Sequence, residues 1–139
     1  MVIIDTVKDM QALSRRLRSE GRTIGFVPTM GSLHEGHLSL AKRSKQDNDV
    51  TIVSIFVNPA QFGPKEDFQQ YPKDEGGDLK KLSSLAIDVV FIPEVSELYP
   101  EGFSTHIDIG NLGEKLCGIS RPNHFQGVGL IVTKLFNSV

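Results

Sequence analysis

His34 and His37 stand three residues apart around Gly36, in the segment TIGFVPTMGSLHEGHLSL that runs from residue 23 to 40. At that spacing two imidazoles share one face of a helix. The residues ahead of them read as an apolar strand, Ile24 to Val27, followed by a turn containing Gly31. A strand that feeds a helix through such a turn brings unpaired backbone N–H groups and the positive end of the helix dipole to one spot. The chemistry this arrangement suits is the binding of an anion, phosphate above all.

A lone histidine at a helix start is more often a cap or a solvated side chain. Two of them flanking a glycine, directly after a strand and a turn, point to function. Zinc is the competing chemistry. His34-Glu35-Gly36-His37 is one residue short of the H-E-x-x-H pattern, so the i, i+4 ligand geometry is missing. His106 and His124 could join it in space, but Cys117 is the sole cysteine and no ligand-like spacing accompanies it. No metal site is expected.

Ser32 followed by Glu35 has the form of a capping box, which sets the helix start near Leu33. Leu33, Leu38, Leu40 and Ala41 then supply the apolar material that holds this helix on a sheet. Before it, Val2 to Ile4 reads as a strand. Thr6 with Asp9 starts a helix whose apolar stripe is Val7, Met10, Leu13 and Leu17, and Gly21 stops it. After it, Asp47 to Asp49 is a turn, and Val50 to Val57 is a nearly unbroken β-branched run, as in a parallel strand covered on both faces. Residues 60–73 read as loop, 74–85 as helix, 87–92 as a buried strand, and 94–102 as loop or a short helix. Residues 105–109 alternate like a strand. A turn at 121–125 leads into an apolar helix through Val128, Ile131, Val132 and Leu135. Strands alternating with helices give the fold class: α/β, a doubly wound parallel sheet.

Ligands of such sheets bind beyond the carboxyl ends of the strands, so Pro28 to His37, Asn58 to Phe62 and the segment from Pro93 should converge. Asn58 and Gln61 offer neutral donors and acceptors there, suited to hydroxyl, carboxylate or amide groups of a small substrate. Asn58-Pro59 read alone is a strand-ending turn. Tyr71 and Arg121 are further candidates, whereas Lys80-Lys81 reads as a solvated helix face.

At 139 residues the chain suffices for one domain with a core, residues 1–139. A formal net charge of −2 argues against a nucleic-acid or membrane surface as the main partner. No apolar run reaches the length of a membrane span, and no signal-like segment opens the chain. One cysteine, read as a small part-buried residue, excludes an internal disulfide framework and fits a reducing cytoplasm. The segment ending at Val139 is still apolar at Leu135 and Phe136, with no cap, so the apolar face is expected to be uncovered and the chain to be the N-terminal part of a longer one.

PTMGSLHEGHLSL (28–40), FVNPAQFGPKEDFQQYPKD (56–74), LCGISRPNHFQGV (116–128) and KLFN (134–137) closely resemble the bacterial pantothenate synthetase family, in its order and spacing. HxGH alone is shared with the wider nucleotidyltransferase group; its combination with FVNPxQF, EDxxxYP and RPxHFxGV is far more specific. The resemblance implies a Rossmann-like N-terminal nucleotide-binding domain of the HxGH type. It also implies ATP-dependent ligation of pantoate to β-alanine through a pantoyl-adenylate, with release of AMP and pyrophosphate, Mg²⁺ accompanying the nucleotide, and a cytoplasmic homodimer. By similarity, Met30, Gly31, Ser32, Leu33, His34, Glu35, Gly36 and His37 line the ATP phosphates. His37 serves the departing pyrophosphate with His34 as its partner, and a nearby triphosphate keeps its ring protonated. Gln61, Pro28 and Met30 shape the pantoate pocket, with Asn58 and Tyr71 near the substrates. Lys73 stands where the family usually has arginine, Asn123 where it has glycine, Gly129-Leu130 where it has Thr-Val, and Ser32 where alanine is common. The family's Lys-Asp-x-x-Gln and Ser-Ser-Arg segments would fall beyond Val139, so this chain is expected to hold half a site and turn over little. Two other readings stay open: nucleotidyl transfer to a phosphorylated acceptor, and a non-catalytic nucleotide-binding module.

Overall fold

Along Val50–Ile55 every residue but the last is buried, and successive side chains face opposite layers, which makes this strand (β3) the centre of the fold. A computed structural model describes residues 1–63, 68–121 and 123–139, and leaves the side chain of Gln69 undescribed. Pro64, Lys65, Glu66, Asp67 and Pro122 of the quoted motifs lie outside these residues. The described elements include β1 (Val2–Ile4), α1 (Val7–Ser19), β2 (Ile24–Thr29), α2 (Glu35–Asp47), β3, α3 (Glu75–Ser84), β4 (Val89–Phe91), α4 (Val95–Leu98), α5 (Cys117–Ser120) and α6 (His124–Ser138). Single 3₁₀ turns at Pro59–Gln61 and Phe68–Gln70 interrupt the stretch read as loop.

The four strands are parallel, in the order β1-β4-β3-β2. The chain crosses the whole sheet between β1 and β2, then steps back strand by strand. Helices therefore cover both faces, as the doubly wound reading requires. Met10 and Leu17 of α1 join Ile131 and Leu135 of α6 against Ile52, Val89 and Phe91 on one face. Ala41 of α2 and Leu82 of α3 cover Val27, Val53 and Val90 on the other. β2 is an edge strand, which is why Pro28, lacking an N–H, is tolerated within it opposite Ser54.

Several sequence expectations shift. The helix bearing the histidines starts at Glu35 with His34 as its N-cap, two residues later than the Ser32–Glu35 box implied. Ser32 cannot cap because its backbone is left-handed, at φ 51°. Leu40 faces solvent, 58 % exposed, while Leu33 and Ala41 are buried and Leu38 packs beside them. Residues 105–109 form no strand. Their alternation instead puts Ile107 and Ile109 against α6 at Gly129. The apolar face at the end of α6 is covered only in part: Leu135 and Val139 are buried, whereas Phe136, edge-on to Phe26 at 5.5 Å, stays 58 % exposed. Cys117 is exposed. Among the described residues, no helix is long and apolar enough to cross a membrane.

Candidate functional site

β2 delivers the chain to the carboxyl edge of the sheet, where Thr29 Oγ1 donates to Ser54 O at 2.7 Å and accepts the N–H of Gly31 at 3.2 Å. Gly31 and Ser32 then both adopt left-handed backbone, at φ 80° and 51°. Glycine suits that conformation; for serine it stores strain that neighbours must hold. The holding group is the carboxylate of Asp78 on α3, which is 1 % exposed and accepts the N–H groups of Ser32 and Leu33, each at 2.7 Å. Lys81, one turn on, donates its ammonium to Leu33 O at 2.8 Å and lies 3.6 Å from Asp78 Oδ1.

This alters the phosphate reading of the turn. The amides of Gly31, Ser32 and Leu33 already have partners inside the protein, so the donors that remain at this turn are those of the histidines and the first turn of α2. The two imidazoles cap that turn reciprocally. His34 Nδ1 accepts the N–H of Gly36 at 3.1 Å, and His37 Nδ1 accepts that of His34 at 3.4 Å. Both rings use Nδ1 as acceptor, so in the neutral form each carries its proton on Nε2, as a donor. The ring centroids are 4.1 Å apart. Burial first, and then the neighbouring His34, hold His37 below the ordinary imidazole pKa, with Asp78 opposing them. Both effects favour the neutral ring of His37, whereas the protonated ring expected from sequence is tied to a nearby triphosphate. Glu35 is exposed and pairs with Lys42 at 3.1 Å.

Gln61 is fixed on both its side chain and its backbone. Its Nε2 donates to Met30 Sδ at 2.8 Å and its Oε1 accepts from Asn58 Nδ2 at 3.2 Å. Its carbonyl lies 2.9 Å from His124 Nδ1, which must carry the proton of that bond, and also accepts from Arg121 at 3.4 Å. Asn58 is 1 % exposed and works inside the wall. It donates to Gly127 O at 3.0 Å and accepts from the N–H of Ala60 and, at 2.7 Å, from the hydroxyl of Tyr99. Its carboxamide is fully engaged, so it acts by orienting Gln61. Gly127 allows this contact, because a Cβ there would overlap the carbonyl of Ala60.

Two clefts open at the strand ends. One, of about 270 Å³, brings together Pro28, Met30, His37, Asn58 and Gln61 under an apolar wall of Val128, Ile131, Val132 and Leu135. Among the described residues, no lysine or arginine lines it. The other, of about 180 Å³, holds Gly31, Lys73, Asp78 and Pro93. Met30 and Phe56 line both. Tyr71 lines neither; it packs edge-on to Phe62 at 5.9 Å, as Phe68 does at 5.5 Å.

Sequence reasoning missed Asp78, Lys81, Tyr99 and the role of His124. For Asp78 a signal existed: it lies four residues before Leu82, on the buried stripe of α3, where an unpaired carboxylate would be costly. Lys81, read as one of a solvated pair, is instead tied to the histidine turn.

The family model for pantoate–β-alanine ligase matches residues 2–139. The chain belongs to the pantoate–β-alanine ligase family. It is 55 % identical over all 139 residues to the pantothenate synthetases of Thermodesulfovibrio yellowstonii and Acetivibrio thermocellus, covering 50 % of each. Among solved structures, the pantothenate synthetase of Thermus thermophilus is similar with a TM-score of 0.92 at 44 % identity, covering 100 % of this chain and 49 % of that one. The pantoate–β-alanine ligase of Francisella tularensis, complexed with β,γ-ATP and β-alanine, gives 0.91 at 44 % identity, over 99 % of this chain and 53 % of that one. The chain thus spans about half the length of these family members. Asn123, where the family usually has glycine, sits at φ 66°, a conformation asparagine tolerates better than most residues. Gly129, where it usually has threonine, faces Ile107 and Ile109.

Proposed function

We propose that this chain is the nucleotide-binding domain, residues 1–139, of an enzyme that ligates pantoate to β-alanine at the expense of ATP. The observation that carries the reading is the shared cleft: His37 at the start of α2 and Gln61 beyond β3 face one space, closed on the α6 side by aliphatic groups. Pantoate is a small hydroxy acid with a gem-dimethyl centre, and this wall complements that centre while the Gln61 carboxamide meets its polar groups.

In the first step a pantoate carboxylate oxygen attacks the α-phosphorus of ATP and pyrophosphate leaves. In the second the β-alanine amine attacks the acyl carbon of the adenylate, AMP leaves, and the amine loses a proton. Neither step needs a protein nucleophile; both need positioning and stabilisation of phosphate charge. His34 and His37 offer Nε2–H donors beside the helix start, and a bound triphosphate raises the fraction of imidazolium there. Met30 to His37 is the nucleotide segment in this reading, with His34, Glu35, Gly36 and His37 outermost. Pro28, Met30 and Gln61 form the pantoate pocket, supported by Asn58, and Tyr71 stands behind Phe62. Mg²⁺ would enter with the nucleotide and would supply neutralisation of leaving-group charge. A cytoplasmic homodimer belongs to the same reading.

Pantoate-dependent exchange of labelled pyrophosphate into ATP tests the proposal, on this chain and on a chain of the relatives' full length. Exchange by the longer chain that disappears in His37→Ala and Gln61→Ala supports it. Exchange driven by a phosphorylated acceptor and not by pantoate would replace it with nucleotidyl transfer. ATP binding without any exchange would leave a binding module.

A further inference from the structure

We propose that Asp78 and Lys81 of α3 are the positioning residues of the histidine pair, gripping the turn before His34 at three backbone groups. Those groups are the N–H of Ser32, the N–H of Leu33 and the carbonyl of Leu33. The residue after Leu33 is His34 itself, so the grip ends one peptide bond from the helix cap. A buried carboxylate is costly unless it is hydrogen-bonded and paired, and Asp78 is both. What it secures is a left-handed serine that would otherwise relax toward ordinary backbone. Gly31 completes the fit, since a Cβ there would press on Asp78 Oδ2 and on Ile55 at 3.2 Å each.

The grip also has an electrostatic consequence. Asp78 lines the smaller cleft and His37 the larger, with Met30 and Gly31 as the chain between them. The charges that act on His37 are His34 on its own helix and Asp78 on α3, and Lys81 compensates Asp78. By filling the Ser32 and Leu33 amides with its own carboxylate, the protein reserves those donors and directs an incoming phosphate to the imidazole side of the turn. The functional part rests on the proposed ATP reading; the positional part does not.

The test is histidine NMR titration and ATP binding on the purified chain, for wild type, Asp78→Asn and Lys81→Met. Asp78→Asn removes a negative charge and replaces one acceptor by a donor, so the His37 midpoint falls, the Ser32 and Leu33 amide signals move, and ATP binds about tenfold more weakly. Lys81→Met leaves the Asp78 charge uncompensated, so the His37 midpoint rises. Opposite shifts at His37, with His106 unmoved, are the expected result, because a residue that only supports the fold gives no such sign change. Unchanged His37 titration in both variants overturns the proposal. If Asp78→Asn does not fold, Lys81→Met decides alone, through the direction of its shift. Absence of ATP binding by the wild type would count against the ATP reading, and the His37 titrations would still decide the positional role of Asp78.

Discussion

Asn58 Nδ2 donates to Oε1 of Gln61 at 3.2 Å, and this one contact sets which way the Gln61 carboxamide faces the cleft. With Oε1 turned to Asn58, the amino group of Gln61 is directed to Met30. Asn58 is in turn held by the Tyr99 hydroxyl and by Gly127 O, so three separated segments converge on the orientation of one side chain.

Asn58→Asp should test this chain of contacts most sharply. The substitution keeps the shape but turns a donor into a charged acceptor facing Gly127 O and Gln61 Oε1. It should destabilise the domain by about 1–3 kcal/mol, read as a lower urea midpoint. Tyr99→Phe removes one of two donors to Asn58 Oδ1 and should cost less, about 0.5–1.5 kcal/mol. Equal losses from the two would mean that the Asn58 amino group contributes nothing particular.

The burial of the Tyr99 hydroxyl should also show itself at high pH. Burial pushes the Tyr99 hydroxyl up to about 12, from an ordinary 10.0. The unfolded chain therefore gives up this proton first, and the folded state is favoured while Tyr99 stays protonated. That contribution is complete below pH 10.0 and is lost as the pH rises through about 12. Wild type should lose stability across this window more steeply than Tyr99→Phe, in urea midpoints taken at several alkaline pH values.

Gly127 and Gly129, two residues apart on α6, should respond oppositely to alanine. At 127 the new Cβ would overlap the carbonyl of Ala60 and lie 2.8 Å from Gln61 Cα, both backbone. A loss of about 1–3 kcal/mol is expected, together with displacement of Gln61. At 129 the nearest atoms are Ile109 Cγ2 at 3.5 Å and Ile107 Cγ2 at 3.7 Å, which is ordinary contact. There the helix should gain about 0.5–1 kcal/mol from the restricted unfolded chain. Thermal midpoints of the two variants would separate in sign.

The contrast also marks what the sequence could reveal. The sheet and its covering helices were legible, because Val50 to Val53 and Val89 to Phe91 are buried on both sides and Thr6 caps α1 as its type predicts. The histidine pair was legible from its spacing, and both rings do meet at the start of α2. Which amides the turn left available was not, since Asp78 reaches Ser32 from 46 residues away, and its place on the buried stripe of α3 signals a partner without saying which one. The cap was misplaced for the same reason: Ser32 is drawn into left-handed backbone by a distant carboxylate, and His34 takes its role. The strand read at 105–109 failed because alternation reports a one-sided apolar surface, and α6 satisfies that as well as a sheet does.

His37 should report ligand binding by the direction of its titration. In the free chain, burial and His34 keep its pKa below the ordinary 6.5. Above that value the ring is neutral in folded and unfolded chains alike and adds nothing to the pH dependence. As the pH falls below 6.5 the unfolded chain binds the proton first, so the folded state loses stability until the folded midpoint is passed. His37→Gln should remove this acid-side loss, seen as a flatter urea midpoint between neutral and mildly acidic pH. A bound triphosphate reverses the balance, because several negative charges beside Nε2 favour the imidazolium. The His37 midpoint, followed by NMR, should therefore rise when ATP is added, and ATP should bind more tightly as the pH is lowered toward that midpoint. A midpoint that stays put at saturating ATP would place the phosphates away from His37 and remove it from the leaving-group role.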